Sequence, residues 1–232
     1  MLKLIICNGM IRSGSTLLYN LAYHVASQKY SVNKLGYKEN IDTSTCATDD
    51  SKSVHILKAN GFLPNTRQLV EGGHAQVLYI HRDLRDVYAA DKVYTRRLGH
   101  SHYGSNDGII QHMMICLSTF MSLRSIARSE WRYEDVMGNG LDWLIRQIAK
   151  ALDVSLTDDF VHNLTQEFSL RKTMKMVGGL GRVDPNTLFH PMHTSGGRVG
   201  IWESELSEME AGAIEMLFGY QLRLAGNMGT YK

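Results

Sequence analysis

The residues with the clearest chemical potential lie together near the start of the chain, in Gly9-Met10-Ile11-Arg12-Ser13-Gly14-Ser15-Thr16. An apolar run over 2–7 precedes them, and Leu17-Leu18-Tyr19-Asn20-Leu21 follows. Strand, glycine-bounded loop and helix in that order set backbone N–H groups and a helix N-terminus around an anion. In the triphosphate-binding version, G-x-x-x-x-G-K-[ST], the lysine reaches the β- and γ-phosphates. Ser15 stands at that lysine's position, and the nearest cation comes earlier, at Arg12. Such a loop grips a phosphate-like group but lacks the side chain a γ-phosphate needs, so it suits a short, doubly anionic ligand tail. A plainer reading of the same residues is a glycine turn before a surface helix.

A second cation sits at a comparable place. Gln76-Val77-Leu78-Tyr79-Ile80 reads as a buried strand and runs into His81-Arg82-Asp83-Leu84-Arg85-Asp86. An arginine at the C-terminal end of a parallel strand is well placed for bidentate phosphate binding. The bland alternative is a helix start in which Asp83 caps while Arg85 and Asp86 are solvated.

These segments resemble the sulfotransferases that use 3′-phosphoadenosine 5′-phosphosulfate (PAPS), and the resemblance is to a P-loop-like domain of the bacterial type. In that family a Lys/Arg-Ser-Gly-Ser/Thr-Thr segment wraps the donor's 5′ end, which implies donor contacts from Arg12, Ser13, Gly14, Ser15 and Thr16. The family's second motif, Arg-Asn/Asp-Pro-x-Asp-x-x-x-Ser, implies that Arg82 holds the 3′-phosphate. Leu84 replaces its proline and Ala90 its serine, so the hydroxyl contact does not carry over. Arg132-Tyr133-Glu134-Asp135 is similar to the element whose tyrosine lies beside the adenine, which assigns Tyr133. Ser195-Gly196-Gly197-Arg198-Val199-Gly200-Ile201-Trp202 resembles the loop that closes over the 3′-phosphate. There Gly197 and Arg198 are the implied contacts, while Ser195 and Gly196 replace a basic pair.

The resemblance implies direct in-line transfer of a sulfuryl group from PAPS to a hydroxyl or amine of an unknown acceptor, with PAPS as co-substrate and no metal. Arg12 and the loop N–H groups would stabilise charge on the departing phosphate oxygen, and Lys58 matches a family lysine at a strand end. The base is the point of departure. Asn60 stands where a histidine is common, and an amide is no general base. Glu39, just past the second strand, is the first choice; Asp42, His100 and His102 are further candidates. Two other functions stay open: a catalytically silent PAPS-binding module, and a P-loop kinase, disfavoured by Ser15.

Positioning these residues requires an α/β fold of P-loop NTPase-like type, one domain over 1–232 with a central parallel sheet flanked by helices. Strands are predicted over 2–7, 30–35, 54–58, 76–80 and 132–136. Helices are predicted over 15–27, 65–71, 83–96, 107–127, 141–152 and 207–222. Two irregular stretches, 98–106 and 177–200, read as possible lids, the second with His190, Pro191 and His193 inside it. The methionines of the fourth helix, Met113, Met114 and Met121, read as core. Tyr94, Tyr103 and Trp131 are aromatic candidates for an acceptor pocket.

Composition narrows the partners. A chain of 232 residues with net charge +2 carries no field that argues for nucleic acid or an anionic membrane. The cysteines, Cys7, Cys46 and Cys116, make no C-x-x-C pair, and Cys7 reads as a small buried hydrophobe. A reducing, cytoplasmic setting is the expectation. No signal-like or membrane-length apolar run is present, and oligomeric state is open.

Overall fold

The computed structural model describes residues 2–41, 53–98, 106–127, 129–190 and 197–224. Asp42, Cys46, His100, His102, Tyr103, Pro191, His193, Ser195 and Gly196 lie outside them.

Strand β1 (Leu4–Gly9) is buried along its whole length, as a parallel strand covered on both faces must be. Helix α1 (Ser15–Ala26) leads to β2 (Ser31–Tyr37), then β3 (Ser53–Ala59), α2 (Thr66–Glu71) and β4 (Ala75–His81). Helices α3 (Leu84–Leu98) and α4 (Asn106–Arg124) precede β5 (Ser129–Arg132). The chain continues through α5 (Tyr133–Asn139), α6 (Leu141–Leu152), α7 (Asp158–Glu167), α8 (Leu170–Gly178), α9 (Trp202–Glu205) and α10 (Glu208–Leu224). The sheet has five strands in the order β2-β3-β1-β4-β5, and every pair is parallel.

Period-two alternation splits the core. Ile5 and Cys7 face α1 and α6, where Leu18, Leu21, Leu144 and Ile148 are fully buried. Leu4 and Ile6 face the opposite layer, with Leu84, Met113, Phe120 and Phe218. Because all strands run one way, their carboxyl ends form one edge. The order reverses across β1, and such a switch point opens a crevice at that edge. The residues after β1, β2, β3, β4 and β5 include Arg12, Glu39, Asn60, Arg82 and Tyr133 in turn.

Several sequence expectations need correction. The predicted strand over 132–136 is instead the end of β5 followed at once by α5. Glu134 and Asp135 sit in that helix's first turn, where acidic residues favour a helix N-terminus. Helices α7 and α8 were not anticipated. Thr157 caps α7 by accepting the Phe160 N–H at 3.2 Å, a signal that Thr157-Asp158-Asp159 carries in sequence. Of the three methionines on α4, Met113 is buried but Met114 and Met121 are exposed. Cys7 is buried as expected. No helix among the described residues is long and apolar enough to cross a membrane.

Gly9 ends β1 against β4 with no room for a side chain: a Cβ there would lie 2.6 Å from the Ile80 carbonyl oxygen and 3.0 Å from the Ser15 Cβ. Gly9→Ala is expected to destabilise the protein by about 1–3 kcal/mol, measured by urea denaturation.

Candidate functional site

The loop after β1 is stitched to β4 before it turns. Met10 N–H donates to the Ile80 carbonyl at 3.1 Å, and the Ser13 hydroxyl donates to the carbonyls of Met10 (2.5 Å) and Ile80 (3.1 Å). Arg12 and Gly14 are left-handed, at φ 58° and 87°, and the first bond of α1 runs from Leu18 N–H to the Gly14 carbonyl at 3.0 Å. The N–H groups ahead of Leu18 therefore have no carbonyl within the helix. No side chain caps α1 and no acidic residue enters its first turn. An uncapped helix end behind a tight loop is an anion cradle.

Arg12 is held at rest by two neighbours. Its guanidinium pairs with the fully buried Asp91 of α3 at 3.3 Å and stacks 3.7 Å from the centre of the Tyr94 ring. Tyr94 in turn meets the His190 ring edge-on at 6.0 Å.

Arg82 and Asp86, each 1 % exposed, form a clamp. Arg82 donates to the Arg12 carbonyl at 3.0 Å, to Asp86 at 3.0 Å and to the Arg198 carbonyl at 2.5 Å. Asp86 also accepts the N–H groups of Gly200 (2.9 Å) and Trp202 (3.1 Å). The guanidinium lies 4.4 Å over the centre of the Tyr133 ring, and its Nε has no hydrogen-bond partner among the described residues. One ion pair thus joins the loop after β1, the start of α3 and the Gly197–Trp202 turn. The bland reading of this segment is half right. Asp83 does cap, accepting the Arg85 N–H at 2.8 Å, yet Arg85 and Asp86 are buried. Arg85 bridges Asp83 and Glu215 and covers the Trp202 ring at 4.2 Å. Arg198 contributes its carbonyl to the clamp while its residue as a whole is exposed. Ala90 is buried and brings no hydroxyl.

Lys58 and Asn60 stand beside the cradle. Asn60 Oδ1 accepts both the Lys58 ammonium (3.0 Å) and the Ser15 hydroxyl (3.2 Å). Lys58 is 7 % exposed and forms no ion pair among the described residues. Burial lowers its pKa to about 8, with the nearby positive charge of Arg12 adding to the effect. A buried amine without a counter-ion is a signature of a functional site. Glu39 is exposed, just past β2, where Lys38 N–H extends the pairing to the Lys58 carbonyl at 2.9 Å. Burial, with the Glu39 charge adding to it, raises the Tyr37 phenol, and the centre of the Tyr37 ring lies 5.1 Å from the Lys58 ammonium.

A cavity of roughly 210 Å³ opens from Gly14, Ser15 and Arg82 between α5 and the segment that joins α7 to α8. Its wall is mostly apolar and carries three rings, Tyr133, Phe168 and Phe189. The sequence reading found Tyr133 but not the two phenylalanines. Phe168 ends a helix that was not anticipated, and Phe189 lies within the stretch read as irregular. Their being two of only six phenylalanines was the available signal. Trp131, an acceptor-pocket candidate, is packed in the core. Among the described residues no cluster of three or more His, Cys, Asp or Glu could hold a metal ion.

No family model and no curated protein sequence matches this chain. Solved structures do. Mouse sulfotransferase SULT7A1 complexed with PAP superposes with a TM-score of 0.67 at 14 % identity, over 95 % of this chain and 85 % of that one. Retinol dehydratase in complex with retinol and PAP gives a TM-score of 0.64 at 16 % identity, over 100 % of this chain and 84 % of that one. The same enzyme with androsterone and inactive cofactor PAP gives 0.66 at 15 %, over 96 % and 82 %. The five-stranded, all-parallel sheet flanked by helices therefore has the P-loop-like α/β fold of these sulfotransferase structures.

Proposed function

We propose that this chain, as a single domain over 1–232, transfers a sulfuryl group from PAPS to a hydroxyl or amine of an acceptor. The observation that carries this reading is the buried Lys58, joined through Asn60 to Ser15 of the uncapped α1 cradle. A cationic amine beside an anion loop that lacks the triphosphate lysine suits a sulfated 5′-phosphate. Arg82 Nε and Arg198 are the donors offered to the 3′-phosphate, and Tyr133 borders the nucleoside. The solved relatives contain PAP, which supports a donor of this type.

In the reaction the acceptor oxygen or nitrogen bonds to sulfur while the bond from sulfur to the 5′-phosphate oxygen breaks. The electron pair stays on that oxygen, where the ammonium of Lys58 and the N–H groups of Gly14–Thr16 stabilise it. The acceptor's proton passes to the Glu39 carboxylate. Direct transfer needs no metal. Retinol and androsterone in the retinol dehydratase complexes make lipophilic alcohols the first acceptors to screen. Two observations favour the silent-module alternative, namely Asn60 at the histidine position and the exposure of Glu39.

Calorimetric titration tests the donor. PAP is expected to bind at least about tenfold more tightly than AMP, with Arg82→Ala removing that difference, because hydrogen bonds to charged groups are worth roughly 1.5–3 kcal/mol. Tighter binding of ATP than of PAP would overturn the reading and revive the kinase alternative.

Lys58 gives a pH signature. Its pKa is about 8 in the folded chain against 10.5 for the free side chain. The folded chain therefore bears an uncompensated charge at pH 7 and sheds that burden as pH rises through 8 toward 10.5. Lys58→Met should gain on the order of 1–3 kcal/mol at pH 7, with the gain shrinking across that window. The same variant should bind PAP more weakly, and the wild type's loss of PAP affinity above pH 8 should vanish in it. Thermal melts and titrations at pH 7 and 9.5 read both effects.

Glu39→Gln separates the enzyme from the silent module. PAP affinity should be unchanged while release of PAP from PAPS falls by about 100-fold, within the range of general-base contributions. An unchanged rate would remove Glu39 from the mechanism.

A further inference from the structure

Helix α10 begins where Ser207 and Glu210 cap each other. The Glu210 carboxylate accepts the Ser207 N–H at 2.9 Å, and the Ser207 hydroxyl accepts the Glu210 N–H at 3.3 Å, a reciprocal pairing that fixes the helix start. One face then packs inward, with Ala211, Ile214 and Phe218 buried. Beside that face Glu210 pairs with Lys92 and Glu215 with Arg85, each at 2.7 Å and each to a cation of α3.

The opposite face is apolar and uncovered. Met209 and Met216, each 82 % exposed, are the most exposed large hydrophobic side chains among the described residues, and Leu217 is 52 % exposed. Gly212 and Ala213 lie between them and are exposed as well. A Cβ added at Gly212 would meet nothing within 4 Å. These five positions follow the i, i+3, i+4, i+7, i+8 spacing of a single helix face. A lone exposed methionine is ordinary, but a continuous apolar stripe more than two turns long marks an interaction surface.

Charge selects the partner. Glu208 and Arg223 stand at opposite ends of α10, both exposed, and neither forms an ion pair or hydrogen bond among the described residues. At about 100° per residue both fall on the same flank of the stripe. Their midpoint lies between Glu215 and Met216. A second copy laid antiparallel about a two-fold axis at that midpoint brings each Glu208 beside the other copy's Arg223. The same axis sets the two Met216 side chains together and places Leu217 against the gap at Gly212 and Ala213 of the second copy. Parallel pairing would instead oppose Glu208 to Glu208 and Arg223 to Arg223, which like charge disfavours. An acid and a base at opposite ends of one apolar stripe are thus self-complementary under a two-fold axis.

We infer that this face of α10 docks a second copy of the chain, antiparallel across a two-fold axis beside Met216. The helix is ~25 Å long and ~10 Å across, so one face gives an interface at the small end of specific contacts and the dimer is reversible. The inference is independent of the PAPS reading, because no residue of α10 lines the cavity.

Sedimentation equilibrium of the full chain over a wide range of concentration is the test, with thermal melts to show that each variant folds. The wild type should pass from monomer to dimer as concentration rises. Met216→Glu, which sets two like charges beside the axis, should weaken the dimer at least about tenfold. Glu208→Arg and Arg223→Glu should each weaken it roughly threefold or more. The double reversal should return it to within about twofold of wild type, because the two changes are coupled only where position 208 of one copy faces position 223 of the other. A monomer at every concentration overturns the inference, whether another stretch of this chain or a different partner covers the stripe. So does a dimer that Met216→Glu and both single reversals leave unchanged, since it uses another surface. Should Met216→Glu fail to fold, the reversals alone decide.

Discussion

Arg82 and Asp86 carry opposite charges in a place where water does not reach them. Removing each ion from water costs several kcal/mol, recovered only when the pair's remaining hydrogen-bonding capacity is also met. Here the Arg12 and Arg198 carbonyls and the Gly200 and Trp202 N–H groups meet it. All four belong to backbone on two separate loops, so the pair is satisfied only when both loops are in place. The cradle after β1 and the turn before α9 are therefore coupled through one buried interaction. The clamp also leaves Arg82 Nε without a partner in a buried position, and an unpaired buried donor is a standing cost that a bound anion relieves.

The same site accumulates other local costs that the fold supports. Lys58 holds a charge in a buried position with an arginine nearby. Arg12 and Leu188 keep left-handed backbones. Gly9 is pressed between β4 and the start of α1. Lys58, Arg12 and Gly9 lie at the carboxyl edge of the sheet and Leu188 adjoins the cavity-lining Phe189, while the two core layers behind the sheet are conventionally apolar. Strain and uncompensated charge concentrated at one edge of a well-packed scaffold are what a pre-organised anion site requires.

Sequence reading singled out the loop and Arg82 because each follows a strand whose apolar pattern is strong, Lys58 because it ends the predicted strand over 54–58, and Tyr133 from its resemblance to a family element. It could not show the resting partner of Arg12, because Asp91 lies 79 positions away on another element. The plainer alternative, a solvated Asp86, fails because its partners are remote backbone groups and an arginine four residues back. The Tyr133 strand was misread because an aromatic and β-branched run does not show where extended backbone stops and a helix begins.

What the sequence by itself determined was the order of elements and the residue types at their ends: alternating apolar runs fit a parallel α/β sheet, and glycine spacing places a tight turn between β1 and α1. Those are local consequences of side-chain type, period and backbone freedom. Only the tertiary structure decided which charges are paired and which rings line the cavity. These depend on contacts such as Asn20 with Thr187 and Arg82 with Arg198, which span 167 and 116 positions. No local preference encodes such contacts, because their energy arises only after the chain has folded and excluded water from both partners.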